Sequence, residues 1–154
     1  MKPMTCEQAL RRLMAWCSRA ERCACDLRRK MNGWEIPEGE QEEIIRRLQE
    51  EKFLDERRYC RAFVNDKSRY NHWGAQKIEY ELKKKHLPGF LIREALEERS
   101  PEENREELRR LLENKRKTLK GETEFEIKWK LMRFAAGRGF SLDEIEKALH
   151  TAHN

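Results

Sequence analysis

Valine occurs once in the 154 residues, at Val64, while Glu, Lys, Arg and Leu dominate. So little β-branched residue and so much helix former excludes a sheet protein. No stretch approaches the roughly 18 apolar residues of a membrane span. Arg11, Arg12 and Arg19 break up the N-terminal apolar positions, so no signal-peptide core is expected there. The expected setting is the cytoplasm, where Cys6, Cys17, Cys23, Cys25 and Cys60 stay reduced as small buried or half-buried thiols. An odd cysteine count also argues against a complete disulfide framework.

Chemistry is equally scarce. There is no glycine-rich phosphate loop: Gly137 and Gly139 flank Arg138, but no strand precedes them and no GKS or GKT follows, so they read as a helix stop. Cys23 and Cys25 form a C-x-C pair, yet residues two apart on a helix point roughly 200° away from each other. His72, His86, His150 and His153 are scattered, and a zinc site needs about four converging ligands. The many carboxylates sit on charged faces where nothing raises their pKa. No catalytic residue, cofactor or metal is expected.

What is present is charge, at 41% against 38% hydrophobic. That balance is too lean for one thick core but suits thin helical layers that each bury one stripe. Disorder is excluded because the apolar residues are periodic and include four Trp and six Phe. The net charge is +5 and is unevenly spread: residues 57–85 hold nine Lys and Arg against three Asp and Glu, whereas residues 37–56 hold three against eight. Such blocks suggest a basic face opposed to an acidic one.

The helices come in a repeating order. Thr5 caps a helix with Leu10, Leu13, Met14 and Cys17 inward, and a second runs from about Ala24 to Met31. A loop with Pro37 and Gly39 then leads to a third, which buries Ile44, Ile45 and Leu48. The order recurs over Arg57–Tyr70, Ala75–Lys85 and Leu91–Arg99. It recurs again from Ser100-Pro101 through Leu108, Leu111 and Leu112, then over Phe125–Ala136, and then in a helix boxed by Ser141 and Glu144. Ile78, Leu82, Leu87, Ile92 and Leu96 shifted by 53 land on Leu131, Ala135, Phe140, Ile145 and Leu149, all apolar. Shifted back by 51, the first three land on Leu27, Met31 and Ile36. Ile92 and Leu96 need a shift of only 48 to reach Ile44 and Leu48, which places three extra residues in the Pro37–Gly39 loop. The expected fold is all-α: three tandem three-helix repeats over residues 1–54, 55–100 and 101–154, stacked into an elongated, curved, right-handed array.

The one cluster that reads as a binding surface is basic and aromatic. Arg57, Arg58 and Arg61 precede Lys67, Arg69, Lys77, Lys83, Lys84 and Lys85, interleaved with Tyr70, Trp73 and Tyr80. Such a set binds phosphates by charge and bases or protein pockets by its rings. The bland alternative is a solubilising face with Trp73 tucked into the core. Lys115, Arg116 and Lys117 either continue that surface or serve as ordinary helix C-terminal charge.

The run Leu54-Asp55-Glu56-Arg57-Arg58-Tyr59-Cys60-Arg61-Ala62-Phe63-Val64, followed by Lys67-Ser68-Arg69, Gly74, Ile78, Glu81-Leu82 and Lys85-His86-Leu87, resembles the core signature of the RecX family. Arg138-Gly139-Phe140-Ser141, with Ile145 and Leu149, is similar to the ending of that family's third repeat. The resemblance implies three tandem three-helix repeats and a non-enzymatic regulator that binds the RecA–DNA filament and damps recombinase activity. It also implies binding to single- and double-stranded DNA. Carried over, it makes Asp55 a structural cap and puts Arg57, Lys67, Arg69 and Lys85 on the basic face. The chain departs from the pattern at Tyr59 and Cys60, where Phe and Ala are usual, and at His86, where Gly is common. A monomer is expected, with RecA filament and DNA as partners and no membrane. The alternative function is a general DNA-binding helical-repeat protein with no dedicated protein partner; a further one is a helical protein-interaction scaffold that ignores nucleic acid.

Overall fold

A computed structural model describes residues 4–152. The outer ends of the first and third expected repeats, and His153, lie outside the described residues. Within them the chain forms nine helices and no strand: α1 (Cys6–Arg19), α2 (Ala24–Gly33), α3 (Glu38–Glu50), α4 (Glu56–Arg69), α5 (Ala75–Lys84), α6 (Gly89–Glu97), α7 (Pro101–Arg116), α8 (Glu124–Gly137) and α9 (Leu142–Ala152).

Each triplet opens on a side-chain cap, which satisfies backbone N–H groups that a helix cannot pair internally. Gln8 N–H donates to Thr5 Oγ1 at 3.1 Å while Gln8 Oε1 accepts from Thr5 N–H at 3.0 Å. Arg58 N–H donates to Asp55 Oδ1 at 3.0 Å and Glu103 N–H to Ser100 Oγ at 3.1 Å. The Ser141–Glu144 box closes in both directions at 3.0 and 3.1 Å.

Three separate apolar cores follow the triplets. The first is built on Leu13, Leu27, Met31, Ile44 and Leu48, the second on Cys60, Val64, Ile78, Leu82 and Ile92, and the third on Leu108, Leu112, Leu131, Ala135 and Ile145. Cys23 is the exception: it caps α2 in the first triplet but is fully buried in the second core. Cys6 is exposed, contrary to the expectation that every thiol is at least half-buried, because it opens α1 beyond the reach of any core.

The Pro37–Gly39 loop needs correction. Pro37 caps α3 and lies 51 residues before Pro88, the cap of α6, so Gly39 belongs to the first turn of α3 and no residues are inserted ahead of it. The extra length extends α3 itself, which has 13 residues against nine in α6. In this register Gln41 replaces Ile92. It is 3% exposed, and its Nε2 donates to Asn32 Oδ1 at 2.7 Å and to the Ile36 carbonyl at 2.8 Å. A satisfied amide occupies a core position, and reading only apolar residues skips it and shifts the alignment by three.

The same corner of each triplet has a left-handed residue, at Glu35 (φ 57°), His86 (φ 62°) and Gly139 (φ 99°), spaced by the repeat shifts 51 and 53. Only the third is glycine. There the second and third triplets meet backbone to backbone. Gly74 N–H donates to the Arg138 carbonyl at 2.7 Å and Gln76 N–H to the Gly139 carbonyl at 3.1 Å. Helix α5 has no side-chain cap, so these carbonyls from the C-terminal end of α8 cap its N-terminus instead. A Cβ on Gly74 would stand 2.6 Å from the Gly139 carbonyl, and one on Gly139 2.4 Å from Lys77 Cβ.

Gly139→Ala is therefore expected to cost about 1–3 kcal/mol from overpacking, with left-handed strain in addition. Gly137→Ala, at a helical position with open space beside it, is expected to be neutral or stabilising by up to about 1 kcal/mol. Chemical denaturation of the two variants checks both.

Candidate nucleic-acid interface

The eleven cations and one ring expected from sequence fall into three groups. Five cations are tied to carboxylates. Arg57 pairs with Glu94 at 2.6 Å, Lys83 with Glu79 at 2.7 Å and Lys84 with Glu81 at 3.5 Å. Arg58 pairs with Glu21 and also donates to the Lys52 carbonyl at 3.0 Å. Lys85 donates to Asp26 at 2.8 Å. The last two cross from the second triplet to the first, so Arg58 and Lys85 brace the junction rather than lie free on a basic face.

Burial opposes charge on both Asp26 and Lys85, but their hydrogen bond prevails. The Asp26 carboxyl is held below its ordinary 3.8, helped by the Cys23 N–H, and the Lys85 ammonium above its ordinary 10.5, helped by Tyr59. Tyr59, buried beside them, is pushed up to about 12 by burial and then by Cys23 and Asp26.

The second group is held by rings. Lys67 and Lys77 lie 5.0 and 4.7 Å from the Trp73 ring centre, and Lys115 lies 4.9 Å from Phe134. Trp73 is half-buried and meets Phe63 edge-on at 6.3 Å, so it joins core and surface at once. Arg69, Arg116 and Lys117 lie at the ends of α4 and α7, with no carboxylate partner among the described residues.

The structure adds residues that sequence reasoning missed. Trp16 has Arg22 at 4.1 Å and Lys30 at 4.9 Å, and Phe134 has Arg138 at 5.0 Å besides Lys115. Each triplet thus has one ring with two cations over it, and none of these six cations makes an ion pair among the described residues. The repeat shift could have revealed them. Trp16 and Arg22 moved by 51 become Lys67 and Trp73: ring and cation exchange places at the same two positions. Lys30 likewise corresponds, through shifts of 51 and 53, to Phe134.

Trp16, Arg22, Trp34, Lys67 and Trp73 line a cleft of about 840 Å³ between the first two triplets, closed on one side by the Lys85–Asp26 pair. Among the described residues no three His, Cys, Asp or Glu side chains come together to hold a metal ion, and no helix is long and apolar enough to cross a membrane.

Two family models match the chain: the RecX second three-helix domain over residues 55–96 and the RecX third three-helix domain over residues 102–149. This chain belongs to the RecX family. It is 29% identical over 120 residues to the regulatory protein RecX of Leuconostoc mesenteroides, covering 78% of this chain and 45% of that protein. To the regulatory protein RecX of Clostridium botulinum it is 31% identical over 109 residues, covering 70% and 50%. The matched stretch spans half or less of these curated relatives. Among solved structures, RecX from Lactobacillus salivarius superposes with a TM-score of 0.83 over 95% of both chains at 18% identity. A second, titled regulatory protein RecX, gives 0.86 over 94% of this chain and 73% of that one, at 21% identity. These likenesses show the fold: all-helical, in three-helix domains.

The junction pair generates a pH prediction. The contribution of Asp26 is present above 3.8 and lost as pH falls through its lowered folded value; that of Lys85 is present below 10.5 and lost as pH rises through its raised one. Asp26→Asn is expected to cost about 1–3 kcal/mol between those limits. The gap to the unmodified protein should close on acidification below 3.8, as read by denaturation at a series of pH values.

Proposed function

We propose that this protein is a non-enzymatic regulator of the RecA recombinase that inhibits it by binding the RecA–DNA filament through ring-held cations. The three units, taken as residues 1–54, 55–100 and 101–154, act as one elongated monomer in the cytoplasm. The observation that carries this reading is the set of six cations poised over Trp16, Trp73 and Phe134. Trp16 and Arg22 of the first unit recur, with ring and cation exchanged, as Lys67 and Trp73 of the second, and Lys30 recurs as Phe134 of the third, and in this reading these ring-held cations form one binding face. Cations over rings keep their full charge for a polyanion, whereas Arg57, Lys83 and Lys84 must first give up a carboxylate. The names of the relatives, each a regulatory protein RecX, support a RecA-directed role.

The test is a titration against RecA assembled on single-stranded DNA, following ATP hydrolysis. A fall in rate at substoichiometric or near-stoichiometric protein is expected, and an unchanged rate across the titration would overturn the reading. Lys30→Glu with Lys67→Glu should weaken inhibition at least about ten-fold, as the loss of two phosphate contacts implies. Arg57→Gln, which removes a cation already paired with Glu94, should change it less than about three-fold. Free DNA bound as tightly as the filament would instead identify a general DNA-binding protein.

A further inference from the structure

We propose that the cleft between the first and second units holds an unstacked nucleobase, making it a site for single-stranded nucleic acid that duplex cannot enter. The proposal rests on the basic-face reading above and adds a ligand to one place on that face. Its walls come from two units: Trp16 and Trp34 from the first, Tyr59, Phe63 and Trp73 from the second. Five aromatic side chains around about 840 Å³ are far more than a phosphate-tracking groove needs, and the volume is in the range of small-ligand pockets.

The covering of the rings suggests how a nucleotide would bind. Trp16 and Trp73 are half-buried, and what lies over their faces is charge, Arg22 and Lys30 on one and Lys67 and Lys77 on the other. A cation over a ring is held more weakly than one charge-paired to a phosphate oxygen. An incoming backbone therefore draws the cations outward, and each one that moves uncovers a ring face for a base. Phosphate neutralisation and base stacking become a single exchange. The carboxylates Glu21, Asp26 and Glu81, which also line the cleft, are already paired with Arg58, Lys85 and Lys84. Two of those pairs cross the junction and hold the walls in place beforehand. Asp66 lines the cleft with no cation partner among the described residues and can accept a hydrogen bond from a base amino group.

Duplex is excluded for a geometric reason: its bases are stacked and paired, presenting edges rather than faces. A smaller hollow within the third unit, lined by Lys115, Leu119, Lys130, Arg133 and Phe134, has one ring against the five of the cleft.

The test compares three ligands of equal length at one salt concentration: oligo(dT), an abasic oligodeoxynucleotide and a duplex, each titrated against the whole protein with tryptophan fluorescence as the signal. Oligo(dT) is expected to quench the fluorescence and bind at least ten-fold tighter than the abasic strand or the duplex. Trp16→Leu and Trp73→Leu, checked for folding by circular dichroism, should narrow the gap between oligo(dT) and the abasic strand to under three-fold. Equal affinity for oligo(dT) and the abasic strand would overturn the base site while leaving the basic face intact. Binding to none of the three would overturn both. Tight, base-dependent binding that persists in both variants would place the base elsewhere and overturn this assignment.

Discussion

The structure depends on a meeting of two backbones. A three-helix unit of about fifty residues buries too little apolar surface to stand securely alone, so each must lean on its neighbour. Between the second and third triplets it does so through peptide groups: the N-terminus of α5 gives its free N–H groups to the carbonyls that close α8. Two glycines make that approach possible, because a single Cβ on either would strike main chain or the first atom of a side chain. At the first junction the same corner is filled differently. There Lys85 reaches Asp26, Arg58 reaches Glu21, and Cys23 is buried in its neighbour's core.

This division of labour separates two kinds of positive charge. Arg58 and Lys85 at the first junction, and Arg57, Lys83 and Lys84 elsewhere, are neutralised by carboxylates, and those in exposed pairs add little stability. Cations near the clefts are positioned by aromatic rings packed against the cores: the Trp73 ring meets Phe63, and the Trp73 backbone N–H donates to the Lys67 carbonyl at 3.0 Å. Packing thus orients charge without consuming it. A protein with a net charge of only +5 can in this way keep unpaired positive charge at defined places on its surface.

Much of this was legible in the residues. The helix class, the caps at Thr5 and Ser141 and the apolar register of the second and third triplets follow from local chemistry that acts over three or four residues, while the Asp55 cap came from the family resemblance. Gln41 was missed because its burial depends on partners, Asn32 and the Ile36 carbonyl, that only the folded corner supplies. Lys85 looked like a surface lysine because its carboxylate is 59 residues away. The seam at Gly74 and Gly139 leaves no side-chain trace beyond two glycines, one of which also reads as a helix stop. Trp16, Arg22 and Lys30 were within reach, since the repeat shift carries Lys67 and Trp73 onto the first two; apolar periodicity alone passes over exchanges between ring and cation. His86 is the opposite case: its departure from glycine was visible, and the structure supplies the reason that glycine suits the position, a φ of 62°.

The second and third units are held as one body by main-chain hydrogen bonds, and amide hydrogen exchange at Gly74 and Gln76 tests this most directly. The account predicts that both amides, though they sit at a helix start with no side-chain cap, exchange as slowly as the buried middle of α5 and slow or quicken together when the junction is perturbed. Exchange of both at the rate of an open helix end, with the α5 interior still protected, would contradict it.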